Sequence, residues 1–388
     1  MSLGIYIQVP FCQTKCTYCN FHTGVVAPAR FAPYVSAVQT EVREYRQRLA
    51  AAGVALPQSL ATLTADTVYF GGGTPSLLDP VHLSAILQAI RGTFPTAFSE
   101  VTLEADPETV ELAKAAAWAA AGINRISLGV QSFSDVELKA AGRMHRRADV
   151  FRAVPILRSA GIANISFDLI AGLPHQTRES WQSSLEELIQ LGPEHVSIYL
   201  LEVDEGSRLG SELLRGGAKY SASAVPSDDV MAECYDLARN QLRGAGYEQY
   251  EISNFARPGF ASQHNRKYWR RDPYLGFGAG AHSFSGTQRW AHAHDAAAYV
   301  QTIASGEVPV EQLENILGEQ ALDEELFLGL RQLEGIDLAR LERTYHTSLE
   351  ARFARLHAAG LVERAGPVVR LVPERLSISN EAFVELMR

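Results

Sequence analysis

Residues 4–21, Gly4-Ile5-Tyr6-Ile7-Gln8-Val9-Pro10-Phe11-Cys12-Gln13-Thr14-Lys15-Cys16-Thr17-Tyr18-Cys19-Asn20-Phe21, decide how the chain is read. The apolar run Gly4 to Val9 predicts a buried strand, and Pro10 ends it. The loop behind it carries Cys12, Cys16 and Cys19 in the spacing Cys-x3-Cys-x2-Cys, while Cys234 stands alone. Three soft thiolates on one loop after a strand suit a cubane iron-sulfur cluster with one iron not held by protein. The loop also reads as a closed Cys3His zinc site, because His22 follows Cys19 at a ligand-like spacing. From the loop alone both readings stand.

Working outward, a helix over about 29–52 follows this strand, and the same beat of strand then helix recurs. DTVYF (66–70) runs into Gly71-Gly72-Gly73-Thr74-Pro75 before a helix at 80–91. SEVTLEAD precedes a helix at 108–121, NRISLGV one at 135–141, ANISFDLI one at 179–191, and HVSIYLLE one at 228–245. Six such units imply parallel strands joined by crossovers, two short of a closed barrel. The predicted fold is α/β: an incomplete (β/α)6 TIM-like barrel, open on one side. After about Tyr247 short extended pieces and Gly-rich turns supply additional strands or a cover. From about Leu317 helices and the hairpin GLVERAGPVVRLV suggest a small helical, winged-helix-like C-terminal domain. The expected organisation is a barrel over 1–246, a covering extension over 247–316 and the C-terminal domain over 317–388.

A chain of 388 residues with 46% hydrophobic and 20% charged residues is an ordinary globular composition, not a disordered or fibrous one. With 35 basic and 44 acidic side chains the net charge is -9, which opposes binding to a nucleic-acid backbone. No apolar run approaches the ~20 residues of a membrane span, and the opening lacks a signal-peptide pattern. Four cysteines are too few for a secreted disulfide framework, so a cytoplasmic protein is expected.

Eight ordered blocks carry a resemblance along almost the whole chain: YIQVPFCQTKCTYCNF, FGGGTPSLL, LEADPE, SLGVQSF, GRMHR, DLIAGLP, HNRKYW and YLGFGAGAHS. They resemble the radical S-adenosylmethionine (SAM) superfamily, in the branch of oxygen-independent coproporphyrinogen III oxidase (HemN-related) and the HemW-like heme chaperones. The resemblance implies that Cys12, Cys16 and Cys19 ligate a 4Fe-4S cluster. It implies SAM contacts at Tyr6, Gly72, Gly73, Thr74, Glu104, Gln131, Arg143 and Asp168. It also implies the superfamily chemistry, in which an electron from the cluster cleaves SAM to a 5'-deoxyadenosyl radical and methionine.

Elementary chemistry agrees with those roles. A glycine backbone lets a ligand's amino group approach main-chain carbonyls. Glu104 and Asp168 end predicted strands, where a carboxylate accepts from ribose hydroxyls or an amino group. Arg143 offers a planar fork for a carboxylate, and Gln131 both donates and accepts. Each also has an ordinary reading, as turn, cap or ion pair.

Two departures separate the chain from the oxidases within that resemblance. Phe21 stands where they carry a further cysteine, and Cys12 lies almost at the start, without their N-terminal arm. The block His264, Asn265, Tyr268, Trp269 matches the chaperone branch, with His264 as the candidate heme ligand and the two aromatics as apolar support. His282, His292 and His294 are further candidates. Gln8 replaces a usual histidine, and LVPERLSISNEAF departs from the family's C-terminal pattern. The expected function is a radical SAM protein that binds heme and delivers it to an acceptor protein. A low-potential electron donor and peripheral contact with a membrane-bound acceptor are the other expected partnerships. Whether SAM cleavage is productive is open at this stage. Coproporphyrinogen III oxidation is the alternative, and a zinc-stabilised scaffold without redox chemistry is a third reading.

Overall fold

The structure, a computed structural model, describes residues 2–58 and 60–387. Among the described residues, six strands form the parallel heart of one sheet: β1 (Leu3–Val9), β2 (Ala65–Gly72), β3 (Thr96–Ala105), β4 (Arg125–Gln131), β5 (Asn164–Ala171) and β6 (His195–Leu200). Helices α1 (Phe31–Ala51), α2 (Pro80–Thr93), α3 (Leu112–Ala121), α4 (Asp135–Ala140), α5 (Arg147–Ser159) and α6 (Arg178–Leu191) connect them. Along β1, Leu3, Ile5, Ile7 and Val9 alternate onto one face and are fully buried, while Gly4, Tyr6 and Gln8 take the other. Local chemistry sets the helix ends. Asp79 caps α2 through Val81 N, Thr177 caps α6 through Ser180 N, and left-handed Gly122 and Gly192 stop α3 and α6.

The α/β partial barrel expected from the six units is therefore the observed fold, with corrections inside it. The sequence predicts the crossover after β4 at 135–141, but α4 has six residues, and the longer α5 follows it. Its buried Val150, Ala153, Val154 and Leu157 carry a helical period that Pro155 obscures in the sequence. Between β6 and α8 (Asp228–Gly244) the chain also forms the short α7 (Arg208–Leu214). There Leu209 N donates to Thr17 O at 2.8 Å, tying this excursion to the cysteine loop.

Added strands extend both edges. β7 (Glu248–Gln249) and β8 (Asn254–Ala256) join β6, and β9 (Tyr274–Phe277) pairs parallel with β1. β10 (His282–Phe284), β11 (Gln288–His292) and β12 (Val310–Asn315) continue antiparallel from β9. Between β8 and β9 lies α9 (Gln263–Trp269), and α10 (Ala296–Ala304) packs on α1. The C-terminal part comprises α11 (Gly318–Arg331), β13 (Ile336–Asp337), α12 (Leu338–Tyr345), α13 (Glu350–Ala358), β14 (Val362–Ala365), β15 (Val368–Leu371) and α14 (Ser379–Leu386), with a small sheet in the order β13-β15-β14. This agrees with the expected helical domain carrying a short hairpin. No described helix is long and apolar enough to cross a membrane.

Candidate functional site

Register brings the cysteine loop and the glycine run together. β1 pairs with β2 through Gln8 opposite Gly71 and Val9 opposite Gly72, so both strands end at one level. Beyond that level Gly73 N donates to Val9 O at 2.9 Å and Thr74 N to Phe11 O at 2.7 Å. Only glycine fits at 73, because a Cβ there would stand 2.5 Å from Phe11 O and 3.0 Å from Cys12 Sγ. At Gly72 the backbone is left-handed, with φ 111°, and a Cβ would meet the Gln8 amide at 2.5 Å. Thr17 N bonds to Ala141 O at 3.0 Å, so the middle of the cysteine loop is held against the turn that carries Arg143.

At this carboxyl end of the strands lies one cavity of about 1220 Å³. Its lining includes Cys12, Cys16 and Cys19 with Gly72, Gly73, Thr74, Glu104, Gln131, Arg143 and Asp168. Ten of the eleven residues expected for cluster and SAM thus line this one cavity. Tyr6 is the exception: its hydroxyl donates to Gln8 Oε1 at 2.7 Å, and it does not line the cavity. The alternation along β1 keeps Tyr6 one step below Gln8 on the same face.

The electrostatics are those of a half-buried polar site. Glu104 accepts from Tyr69 Oη at 2.9 Å and from Gly72 N at 3.1 Å. Burial pushes its carboxyl up to about 7, against the Tyr69 hydrogen bond and with repulsion from Asp168. Asp168 accepts from Ser127 Oγ at 3.1 Å and is likewise raised by burial, opposed by a hydrogen bond from Ser197. Burial raises the Cys12 and Cys19 thiols above the ordinary cysteine range.

Sequence reasoning missed Asp106, although it lies in the LEADPE block. Its carboxylate accepts from Thr74 Oγ1 at 3.1 Å and pairs with Arg143 Nη2, which also reaches Gly129 O at 2.9 Å. Also missed were Tyr199, Val203 and Met231, with Ile378 and Phe383 of the C-terminal part, which line the same cavity. The departing block LVPERLSISNEAF therefore covers the cavity, and only tertiary packing places it there.

The residues fit a cluster better than a single ion. Among the described residues no three His, Cys, Asp or Glu side chains converge on one metal-ion position, as a zinc site with bonds of ~2.0 to 2.3 Å requires. His22, the proposed fourth zinc ligand, instead stacks on His294 with ring centroids 3.8 Å apart.

The block around His264 lies at the other end of the barrel. Ser262 and Glu100 cap α9, the carboxylate accepting from Gln263 N at 2.9 Å and His264 N at 3.0 Å. The His264 ring is wholly buried beneath the strand starts, with Nδ1 2.9 Å from Thr67 Oγ1 and Nε2 2.8 Å from Tyr268 Oη. Burial lowers its pKa to about 3. Both ring nitrogens are hydrogen-bonded in this arrangement, within the block that the sequence marks for heme. His292 is buried too, 3.3 Å from Glu41 and 3.1 Å from Gly278 O.

Known proteins share both the barrel and the C-terminal part. The radical SAM superfamily model matches residues 6–188, and the HemN C-terminal domain model matches residues 316–374. The heme chaperone HemW of Bacillus subtilis is 32% identical over 384 residues, spanning 97% of each chain. HemW of Mycobacterium tuberculosis is 35% identical over 358 residues, 90% of this chain and 87% of that one. The structure of Escherichia coli coproporphyrinogen III oxidase (HemN), a radical SAM enzyme, superposes with a TM-score of 0.83 over 99% of this chain and 90% of that one. At 20% identity that likeness speaks for the fold alone. Identity to HemW over nearly the full length and the matched cysteine-loop barrel lead to one conclusion: the chain belongs to the HemW family of the radical SAM superfamily.

Proposed function

We propose that the protein is a heme chaperone that holds a 4Fe-4S cluster on Cys12, Cys16 and Cys19, binds SAM in the adjoining cavity, and passes heme to an acceptor protein. The observation that carries the cofactor half is the convergence of three half-buried thiols, a glycine cradle and the Arg143–Asp106 pair in one cavity. The heme half is supported by relatives named heme chaperones over nearly the full chain.

When bound, the cluster and SAM would supply one-electron chemistry. The chain's own residues position and shield. Glu104 and Asp168 offer carboxylate oxygens at the ends of their strands, and Gly72 and Gly73 leave main-chain groups open to a ligand amine. Arg143 supplies positive charge beside Cys16. The C-terminal Ile378 and Phe383 contribute apolar lining to the cavity. A low-potential reductant and an acceptor, soluble or at a membrane surface, complete the scheme.

Coproporphyrinogen oxidation is the second reading, since the fold is shared. Phe21, in place of the additional cysteine, favours the chaperone. Anaerobic reconstitution followed by heme titration and by assay with coproporphyrinogen III, reductant and SAM tests the choice. Saturable heme binding without porphyrinogen turnover is expected. Protoporphyrinogen above the no-enzyme control would instead make the protein an oxidase.

A further inference from the structure

We propose that Tyr69 is a positioning residue of the SAM site, its hydroxyl fixing the Glu104 carboxylate as an acceptor that faces the ligand from inside the barrel. This inference rests on the reading that the cavity takes SAM, and it adds a residue that does not itself line that cavity.

Register brings the phenol to the carboxylate. β2 pairs with β3 through Tyr69 opposite Thr102, so Glu104, two residues on, is its diagonal neighbour on the same inner face. Gly71 is the next residue of β2 on that face. A Cβ there would stand 3.0 Å from Tyr69 Cε1 and 3.0 Å from Tyr6 Oη, so the missing side chain leaves the tyrosine room. The ring has two aromatic neighbours: it stacks on Tyr6 with centroids 6.1 Å apart and on His264 at 5.3 Å. These contacts limit where the ring can turn, and its hydroxyl donates to Glu104 Oε1 at 2.9 Å.

Two donors divide the carboxylate between them. Tyr69 Oη takes Oε1 and Gly72 N takes Oε2 at 3.1 Å, which fixes the carboxylate plane and leaves further acceptor capacity on each oxygen. Glu104 lines the cavity, so that capacity serves hydroxyl or amino donors of a nucleoside or amino acid. Protonation would turn one of the two oxygens into a donor and spoil the match.

The surroundings oppose the ionised form. Facing Glu104 are Asp106 at the end of its own strand, Asp168 on β5, Tyr6 on β1, Tyr69 on β2, Tyr199 on β6 and Tyr268 on α9, all of them acids or phenols. Arg125 on β4 faces Tyr69 and Asp168. Burial and the carboxylates of Asp168 and Asp106 favour the protonated acid, and the Tyr69 hydrogen bond is the strongest influence on the other side, ahead of Gly72 N. One phenol thus does two things for the ligand: it aims the carboxylate and it keeps the proton off.

The test is SAM titration by calorimetry on the anaerobically reconstituted full chain from about pH 6 to 9, a range that brackets the Glu104 transition. The proteins compared are wild type, Tyr69→Phe, Glu104→Gln, the double variant, and a control, Tyr247→Phe, which removes a hydroxyl that donates to Pro193 O at 2.6 Å and does not line the cavity. Iron and sulfide content and circular dichroism verify each fold. Tyr69→Phe is expected to bind SAM about fivefold more weakly near pH 7, to regain most of that affinity by about pH 9, and to move the midpoint of the pH profile up by about one unit. The titration of SAM's own amine is common to all the proteins and cancels in the comparison. In the Glu104→Gln background the same change should cost less than about twofold and move no midpoint, because it acts through the carboxylate. Tyr247→Phe should match wild type. A midpoint that Tyr69→Phe leaves unmoved, or an equal loss in both backgrounds, would overturn the positioning role and leave the SAM site standing. No SAM binding by the wild type would overturn both.

Discussion

Arg143 places Nη1 3.5 Å from Cys16 Sγ while its Nη2 pairs with Asp106, so one guanidinium joins the cysteine loop to the end of β3. The same Asp106 accepts from Thr74, which continues the glycine run of β2. Three segments far apart in sequence are thus held at one corner of the cavity by a single charge pair.

Removing either partner should weaken SAM binding without removing the cluster. For Arg143→Ala or Asp106→Asn the expected loss is about 1.5 to 3 kcal/mol, or roughly ten- to a hundredfold in affinity. Calorimetry on reconstituted protein, with iron counted on the same sample, reads both quantities. Unaltered SAM affinity in both variants would remove this corner from the binding site.

Single replacement of Cys12, Cys16 or Cys19 by alanine should abolish assembly of the full cluster, since each takes away one of three proposed ligands. Cys234→Ala should assemble normally, because that thiol is buried where α8 packs on α6 and is pushed up to about 11 by burial. Iron and sulfide analysis after anaerobic reconstitution decides the point. A full iron complement in any of the three loop variants contradicts the assignment.

Glu104 should give stability a pH dependence of definite sign. Its folded value of about 7 lies above the ~4.3 expected of an unfolded glutamate, so its contribution is fully present below about pH 4 and is lost as pH rises through 7. Facing it are Tyr69, Asp168 and Asp106. Glu108, also near 7 through burial, adds a slope of the same sign. Glu104→Gln should therefore flatten the fall in Tm between about pH 4.5 and 7 without abolishing it. An identical Tm profile for wild type and variant would show that Glu104 titrates normally.

His264→Phe should destabilise the protein by about 1 to 3 kcal/mol, since Thr67 and Tyr268 each lose a buried partner. Cluster content should be preserved, because the block lies at the opposite end of the strands from the cysteine loop. Loss of the heme signal in a variant of near-native stability would place His264 in the heme site, and an unchanged heme titration would remove it.

Arg331→Met should loosen the C-terminal part from the barrel. Arg331 Nε stands 2.6 Å from Glu251, which is wholly buried, so the change leaves that carboxylate without its counter-charge, held only by Ser253 N and Asn254 Nδ2, at a cost of about 3 kcal/mol. Faster limited proteolysis after about residue 316 and a lower Tm are the readouts. An unchanged digestion pattern would mean that apolar packing alone holds the two parts together.

Much of this protein was legible without coordinates because its information is local. Six apolar runs bounded by glycine and proline reveal the parallel strands, and parallel strands put their carboxyl-end loops on one side. Cys12, Cys16, Cys19 and the glycine run declare themselves by spacing, and Glu104, Arg143 and Asp168 by position within recognisable blocks. What the tertiary structure alone decided depends on contacts between distant segments. The block around His264 is legible in sequence, but that α9 carries it under the strand starts, with Thr67 and Tyr268 at its two ring nitrogens, is not. Asp106 gains its place through Arg143, and residues 376–383 gain theirs by folding back over the cavity. His22 and His294 lie 272 positions apart, and only the pairing of β1 with β9 and of β10 with β11 brings their rings to 3.8 Å. Spacing records which residue types a segment offers, whereas burial and partnership, which decide whether a nitrogen or carboxylate is free to act, arise only once the segments pack.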